Sequence, residues 1–347
     1  MEEQQMFLQL EDGTLWPGTG WGGIGRGEVV FDTAASGYPQ ALTDPSFEGQ
    51  IVVFAFPMLG TYGVDTKNLE SECPKVRGLV AAFIEDGTAA GGTLKEWLRL
   101  HEVAWIHGID TRSLVRHLRE KSVLKGAITT QPQNVIGGRE GRHPARVVSA
   151  RKIVEIRGTG PRIAVLDYGV KEGILRELEA RNCHVIRFPH DARPEAILDY
   201  KPDGVLLGNG PGDPALLEKE MKTARFLAER LPVAGICLGM QLLALALGAR
   251  TKKMNYGHRG ANHAVIHVPS GKGWLTSQNH GYEVVEGSLS DAGFDLTHKN
   301  LGDGSVEGIR HRILPLQGVQ YHPEGSPGPR DGNSFFDEFL KTAKGVF

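Results

Sequence analysis

Val233-Ala234-Gly235-Ile236-Cys237-Leu238-Gly239-Met240-Gln241-Leu242-Leu243-Ala244-Leu245-Ala246-Leu247 is the stretch whose reading decides the fold of this chain's C-terminal half. Val233 to Ile236 is a short apolar run, the pattern of a strand buried on both faces. Met240 to Leu247 reads as an apolar helix. Between them, Gly235-Ile236-Cys237-Leu238-Gly239 has the form of a nucleophile elbow, G-x-S-x-G, with Cys in place of Ser. A sharp strand-to-helix turn forces the chain past itself, so small residues are needed on both sides of the nucleophile. The following helix points its positive end at the sulfur and favours the thiolate, the reactive form. It also leaves the backbone N–H of Leu238 free to stabilise an oxyanion. A lone cysteine is more often a small core residue; the flanking glycines at a strand–helix junction tip the balance toward chemistry.

Working outward, strands and helices alternate on both sides of this junction. Ile163 to Leu166, His184 to Phe188 and Gly204 to Leu207 read as strands. Lys171 to Arg181, Pro194 to Tyr200 and Ala215 to Arg230 read as helices. That alternation predicts a doubly wound α/β sheet. Thr251 to Leu316 is more β-like, and a strand at Gly318 to Tyr321 and a helix at Ser334 to Lys344 close the chain. Residues 1 to 147 differ: short β-like runs broken by glycine, including Val29 to Phe31 and a continuous apolar run, Ile51 to Phe56, with a helix over Asp110 to Lys121. The expected division is a β-rich α/β domain over 1–147, a linker over 148–160 with an edge strand within Val147 to Ile156, and the doubly wound domain over 161–347.

In open α/β sheets reactive groups gather beyond the carboxyl ends of the strands. Two further segments fall at such ends. His322-Pro323-Glu324 follows the last strand. In an extended segment residues two apart point the same way, and Pro323 favours an extended His322. The carboxylate can then orient the imidazole while the imidazole handles the proton of a thiol. An isolated H-P-E is otherwise a surface turn. Gly208-Asn209-Gly210-Pro211-Gly212-Asp213-Pro214 follows the strand ending at Leu207 and precedes a helix. Such a loop offers backbone N–H groups to an anion or oxyanion, and Asp213 doubles as a helix N-cap. It matches neither common phosphate loop.

Bulk properties are those of an ordinary globular protein: 347 residues, 40% hydrophobic, 23% charged, net charge −2. Nothing there points to nucleic acid or an acidic membrane surface. Three cysteines, Cys73, Cys183 and Cys237, make no disulfide framework and fit a reducing compartment. The acidic start lacks a signal-like apolar core, and no apolar run reaches the ~18 residues of a membrane helix. A cytoplasmic protein is expected.

Taken in order and spacing, the elbow, the H-P-E and the Gly208–Pro214 loop resemble the class I (triad) glutamine amidotransferases. Gly257-His258-Arg259-Gly260-Ala261-Asn262-His263, Gln278-Asn279-His280-Gly281-Tyr282 and Met240 to Leu243 narrow the resemblance to the small subunit of carbamoyl phosphate synthetase. Leu10 to Thr14, Gly37-Tyr38-Pro39 and Leu42 to Ser46 resemble that subunit's extra domain, which other amidotransferases of the class lack. The resemblance implies Cys237 as nucleophile, His322 as acid/base and Glu324 as its orienting partner. It implies an oxyanion hole from the N–H groups of Leu238 and Gly210. Glutamine would be held around Ser46, Gly212, Gln241, Asn279, Gly281 and Tyr282. It further implies L-glutamine as substrate and no cofactor or metal in this chain. A separate large subunit would use ATP and magnesium to join bicarbonate and ammonia into carbamoyl phosphate, for arginine or pyrimidine synthesis. Met240 stands where the family often has His, and Tyr282 where it often has Phe; both are conservative in size.

Three other readings compete. An amidotransferase subunit of another synthetase, such as that of anthranilate or GMP synthesis, would share the triad but not need residues 1 to 147. A non-catalytic regulatory module could keep the fold, against which the intact Cys237, His322 and Glu324 argue. A metal protein could use His258, His263 and His267, but strand alternation would not converge all three on one face.

Overall fold

The computed structural model describes residues 3–132 and 142–345. The chain divides into two compact units, Met1–Gly141 and Arg142–Phe347.

The first unit contains strands β1 (Gln4–Leu10), β2 (Leu15–Trp21), β3 (Gly25–Asp32), β4 (Gln50–Phe54), β5 (Met58–Leu59), β6 (Gly78–Val80), β7 (Phe83–Ile84), β8 (Trp105–His107) and β9 (Leu124–Thr129). Helices α1 (Tyr38–Thr43), α2 (Leu94–Leu100) and α3 (Thr111–Lys121) lie between them. Seven strands close into a barrel in the order β1-β2-β8-β6-β4-β3-β9, and β5 pairs with β7 in a separate two-stranded sheet. The continuous apolar run Ile51 to Phe54 is β4, buried on both faces. Asp110 starts α3 by accepting the Ser113 N–H at 3.0 Å, and Leu114 and Leu118 face inward. Ser46 sits in a buried 3-10 turn, Pro45–Phe47, its N–H bonded to Asp44 Oδ1 at 2.8 Å. Closure of the barrel removes exposed sheet edges.

The second unit contains β10 (Val154–Ile156), β11 (Arg162–Asp167), β12 (His184–Pro189), β13 (Gly204–Leu207), β14 (Val233–Ile236), β15 (Thr251–His267), β16 (Lys272–Val284), β17 (Phe294–Asn300), β18 (Val306–His311) and β19 (Leu316–Val319). Its helices are α4 (Pro144–Val148), α5 (Glu172–Ala180), α6 (Pro194–Leu198), α7 (Glu218–Ala228), α8 (Leu238–Ala246) and α9 (Ser334–Ala343). One ten-stranded sheet runs β10-β12-β11-β13-β14-β19-β18-β17-β15-β16. The segment β12-β11-β13-β14-β19 is parallel. Antiparallel β10 borders one edge, and β18, β17, β15 and β16 extend the other.

Alternate residues of the parallel strands feed two cores. On β11, Ile163 and Val165 pack with Ile174 and Leu178 of α5 and Phe336 and Phe339 of α9. Ala164 and Leu166 pack on the other face with Ala224 and Leu227 of α7 and Leu242 and Leu243 of α8. Strands buried on both faces are why these runs read as continuously apolar.

Two expectations shift. Residues 142–160, expected as the end of the first domain and the linker, belong to the second unit. Ala145 is buried in its core, Arg146 pairs with Glu220, and Val154–Ile156 form the edge strand on β12. Residues 133–141 lie outside the described residues. The apolar helix begins at Leu238 rather than Met240, so the nucleophile candidate directly precedes its first turn. Among the described residues no helix is long and apolar enough to cross a membrane.

Candidate active site

Cys237 stands between β14 and α8 with φ 54° and ψ −109°, a backbone conformation a non-glycine residue rarely adopts. Such strain costs about 1–3 kcal/mol and persists only where the surroundings impose it. Here the Cys237 N–H is held by the Val319 carbonyl of β19 at 2.8 Å, and its carbonyl accepts the Gln241 N–H at 3.2 Å. The Cys237 thiol faces the carbonyl of Asn279 on β16 at 3.7 Å. The backbone crosses itself as the glycine pattern requires: a Cβ on Gly235 would lie 2.5 Å from the Gly239 carbonyl carbon and the Met240 nitrogen.

His322 and Glu324 follow β19, and their side chains meet at 2.8 Å between Nδ1 and Oε1. They do so through a turn rather than an extended segment, since the Gly325 N–H bonds back to the His322 carbonyl at 3.2 Å. A bridge to Ser277 fixes His322 on its other side, its N–H donating to the Ser277 carbonyl at 2.8 Å.

The third member of this buried group was not singled out from sequence. Lys171, at the start of α5, donates from Nζ to Glu324 Oε1 at 2.7 Å, and both side chains are at most 1% exposed. Its place is set by the turn after β11. Asp167 accepts the Gly169 and Val170 N–H groups at 2.7 and 2.8 Å, and Asn209 Oδ1 accepts the Lys171 N–H at 3.1 Å. The available signal was position alone: Asp167 to Lys171 sits at a strand's carboxyl end, as the other site segments do.

Burial alone would push Glu324 up, but the Lys171 and His322 cations outweigh it and hold the carboxyl far below the usual carboxylate range. Burial likewise works to lower His322, yet the Glu324 charge prevails and the imidazole is pushed up to about 10, with Cys237 adding to the rise. His322 Nε2 makes no hydrogen bond of ordinary length, so the ring touches the thiol electrostatically without a well-formed bond. The imidazolium form is thereby favoured, as a proton donor and as the counter-ion of any thiolate formed. Replacing Lys171 with methionine is expected to destabilise the second unit by about 3 kcal/mol in denaturant unfolding. Breaking a buried pair costs ~3–5 kcal/mol, and His322 remains as a partner for Glu324, which favours the lower end. An unchanged midpoint would show that Lys171 does not neutralise Glu324.

The expected substrate residues of the second unit lie on the elements that carry or adjoin this group. Gly210 packs against Leu238: a Cβ on Gly210 would lie 3.0 Å from Leu238 Cδ2. The loop after β13 and the N-terminus of α8 are thereby brought together. Gly212 has φ +95°. Gln241, buried on α8, donates to the Tyr282 carbonyl at 2.8 Å and to Gln320 Oε1 at 2.9 Å. Asn279, Gly281 and Tyr282 lie on β16. Gln320 is a further orienting residue that sequence reading missed. Ser46 belongs to the first unit.

The histidines resolve differently from the metal reading. His267 lies by His298 and Trp274, at ring distances of 4.9 and 6.5 Å. His258, His280 and Glu307 do converge, with ligand atoms within 4.8 Å of one another. Zinc bonds of ~2.0–2.1 Å hold tetrahedral donors roughly 3.4 Å apart, so this spacing is loose. The donors are also engaged already: His258 with Asp303 at 2.9 Å, His280 with the Tyr282 carbonyl at 2.9 Å, and Glu307 with Asn300 at 3.1 Å. It is a buried polar network contributed by β15, β16 and β18.

A nucleophile elbow facing a His–carboxylate pair, on a doubly wound sheet, defines a class I glutamine amidotransferase domain, and the model of that family, glutamine amidotransferase class-I, matches residues 164–342. The carbamoyl-phosphate synthase small chain, CPSase domain, matches residues 8–128. The chain is 44% identical over 345 residues to the carbamoyl phosphate synthase small chain of Bacillus caldolyticus, covering 96% of this chain and 95% of that one. It is 45% identical over 351 residues to that of Symbiobacterium thermophilum, covering 95% and 96%. It is 41% identical over 346 residues to the carbamoyl phosphate synthase pyrimidine-specific small chain of Bacillus subtilis, covering 96% and 94%. The chain belongs to the carbamoyl phosphate synthase small chain family.

Proposed function

We propose that this chain hydrolyses glutamine through a Cys237 thioester and delivers the ammonia to a large subunit that makes carbamoyl phosphate from bicarbonate and ATP. The observation that carries the reading is the buried line Cys237, His322, Glu324, Lys171, in which a thiol on a strained elbow faces an imidazole whose charge is fixed by a carboxylate.

The Cys237 thiolate, with the His322 imidazolium as its counter-ion, attacks the side-chain carboxamide carbon of glutamine. The N–H groups of Leu238 and Gly210 receive the resulting oxyanion; one such donor is typically worth ~10²–10³ in rate. His322 gives its proton to the departing nitrogen, ammonia leaves, and a γ-glutamyl thioester remains. Neutral His322 then takes a proton from water, whose oxygen attacks the thioester, releasing glutamate and restoring the thiolate–imidazolium pair. Glu324 stabilises the imidazolium throughout and fixes the ring's Nδ1 side. Gln241, Asn279, Gly281, Tyr282 and Gly212 hold glutamine's amino and carboxylate groups. Ammonia exposed to neutral water becomes ammonium and loses its nucleophilicity, so a closed route to the large subunit fits the chemistry. ATP and magnesium belong to that subunit, and the product would enter arginine or pyrimidine synthesis.

The test is a glutaminase assay of this chain with and without a carbamoyl phosphate synthase large subunit, together with labelling by a glutamine-like electrophile. Glutamate release that rises on adding the large subunit, with one label on Cys237, is expected. A chain that is inert and unlabelled in both conditions is a non-catalytic module. One that turns over glutamine but fails to bind the large subunit serves another synthetase.

A further inference from the structure

The loop Gly208–Pro214 is fastened at its far end by a histidine that the chemistry above does not use. His143 is the N-cap of α4, its Nδ1 accepting the Ala145 N–H at 3.2 Å. A ring nitrogen that accepts carries no proton, so the neutral ring bears its proton on Nε2. Nε2 lies 2.9 Å from the Asp213 carbonyl oxygen and donates to it. The two bonds together define one tautomer of a neutral imidazole. The same ring covers Gly212: a Cβ there would lie 2.6 Å from His143 Cε1 and 2.7 Å from Nε2. Gly212 is thus tied to glycine twice over, by φ +95° and by the histidine seated on it.

The strap itself is well anchored. Ala145 is fully buried, and Arg146 grips Glu220 of α7 with two bonds of 2.9 and 3.1 Å. Further on, the Ala150 N–H reaches Asp167 Oδ2 at 2.8 Å. His143 is therefore held from the body of the unit and passes that position on to Gly212 and Asp213.

We infer that neutral His143 is a positioning residue for glutamine, holding the Gly210–Asp213 loop in its binding geometry, and that protonation of its ring loosens the site in acid. The inference rests on the reading that this loop binds glutamine. A proton on Nδ1 turns the cap acceptor into a donor facing the Ala145 N–H, so the cap is lost. The charged groups facing the ring are Arg146 on α4, Glu220 on α7 and Asp213 on the loop. Burial acts most strongly and, with Arg146, favours the neutral form; the Asp213 carbonyl and the two carboxylates oppose it, and the ring is held below the ordinary histidine value. With the folded value depressed, the contribution is complete above the ordinary histidine pKa of ~6.5 and fades as pH falls below it.

The experiment measures glutamine KM and kcat from about pH 4.5 to 8, a range that extends well below the ordinary histidine pKa of ~6.5, since the folded ring titrates lower. It uses this chain assembled with the large subunit, in wild type, His143→Asn and His143→Ala. Thermal unfolding and the ammonia-dependent rate, which bypasses the glutamine site, check folding and assembly. In wild type, KM is expected to rise toward acid with kcat nearly level. His143→Ala loses cap and donor, and KM rises about tenfold at neutral pH with kcat within about twofold. Asparagine keeps a cap acceptor but does not titrate, so His143→Asn raises KM less, by about threefold, and abolishes its acid rise. Should His143→Ala fail to fold, His143→Asn still decides. An unchanged KM in His143→Ala, a fall confined to kcat, or an acid rise surviving in His143→Asn overturns the inference. A wild type without glutamine turnover would instead refute the active-site reading beneath it.

Discussion

Replacing Cys237 with alanine is expected to abolish glutamine-dependent carbamoyl phosphate synthesis while the assembled complex still makes product from free ammonia. The loss should be at least ~10³-fold, because the acyl intermediate has no other nucleophile from which to form. Serine should fail almost as completely, and the reason lies in His322 rather than in size. With Glu324 pushing it up to about 10, His322 favours the imidazolium form. An imidazolium is a fitting partner for a thiolate, but it cannot take the proton of a hydroxyl. Removing the thiol therefore removes the group that can ionise beside the imidazolium, and an oxygen at the same position does not restore it. Ammonia-dependent synthesis separates this from misfolding, since it needs the complex but not the thiol. Persistent glutamine turnover in Cys237→Ala would place the nucleophile elsewhere.

How much of this was legible in the sequence depends on how local each feature is. The elbow was readable because glycine spacing, an apolar run and a following helix all lie within fifteen residues and obey short-range sterics. The parallel strands were readable because burial on both faces leaves continuous apolar runs. His322 and Glu324 were readable as a pair by spacing, although the turn at Pro323 and Glu324 was not, because the Gly325-to-His322 bond competes with an extended path. Lys171 was missed because its partner lies 153 residues away. Only the sheet order, which sets β11 two strands from β14, brings that end of the chain near the thiol. Gln320 and His143 were missed for the same reason: each acts through contacts with elements distant in sequence. The proposal that the Gly208–Pro214 loop and β16 cradle glutamine came from family resemblance, since isolated glycines and an asparagine carry no chemical signature. Barrel closure in the first unit was likewise invisible, because closure is a property of strand order and not of any one strand.

Gly239→Ala tests the other half of the elbow, its geometry. A Cβ on Gly239 would overlap the Leu207 carbonyl oxygen and lie 2.5 Å from the carbonyl carbon and 2.8 Å from Leu207 Cβ. Those atoms belong to β13, central in the sheet and bonded on both sides, so they cannot withdraw as the end of a flexible side chain could. Overpacking a tight core costs ~1–3 kcal/mol where side chains can shift, and backbone overlap should reach or exceed the top of that range. At roughly 2–4 °C per kcal/mol for a domain of this size, a fall in Tm of about 6–12 °C is expected, with glutamine turnover lost alongside. Gly248→Ala supplies the internal comparison. Gly248 has a conformation unsuited to a side chain, φ +100°, but nothing lies within 4 Å of the added carbon. It should cost only about 1 kcal/mol, the backbone contribution alone. If the two variants melted at the same temperature, the backbone overlap at Gly239 would cost no more than a strained φ does at Gly248. The close crossing of β13 and α8 would then not be what holds Cys237 in its strained turn. A larger drop for Gly239, where φ is not positive, isolates the crossing itself and ties the thiol's position to the packing of a glycine two residues away.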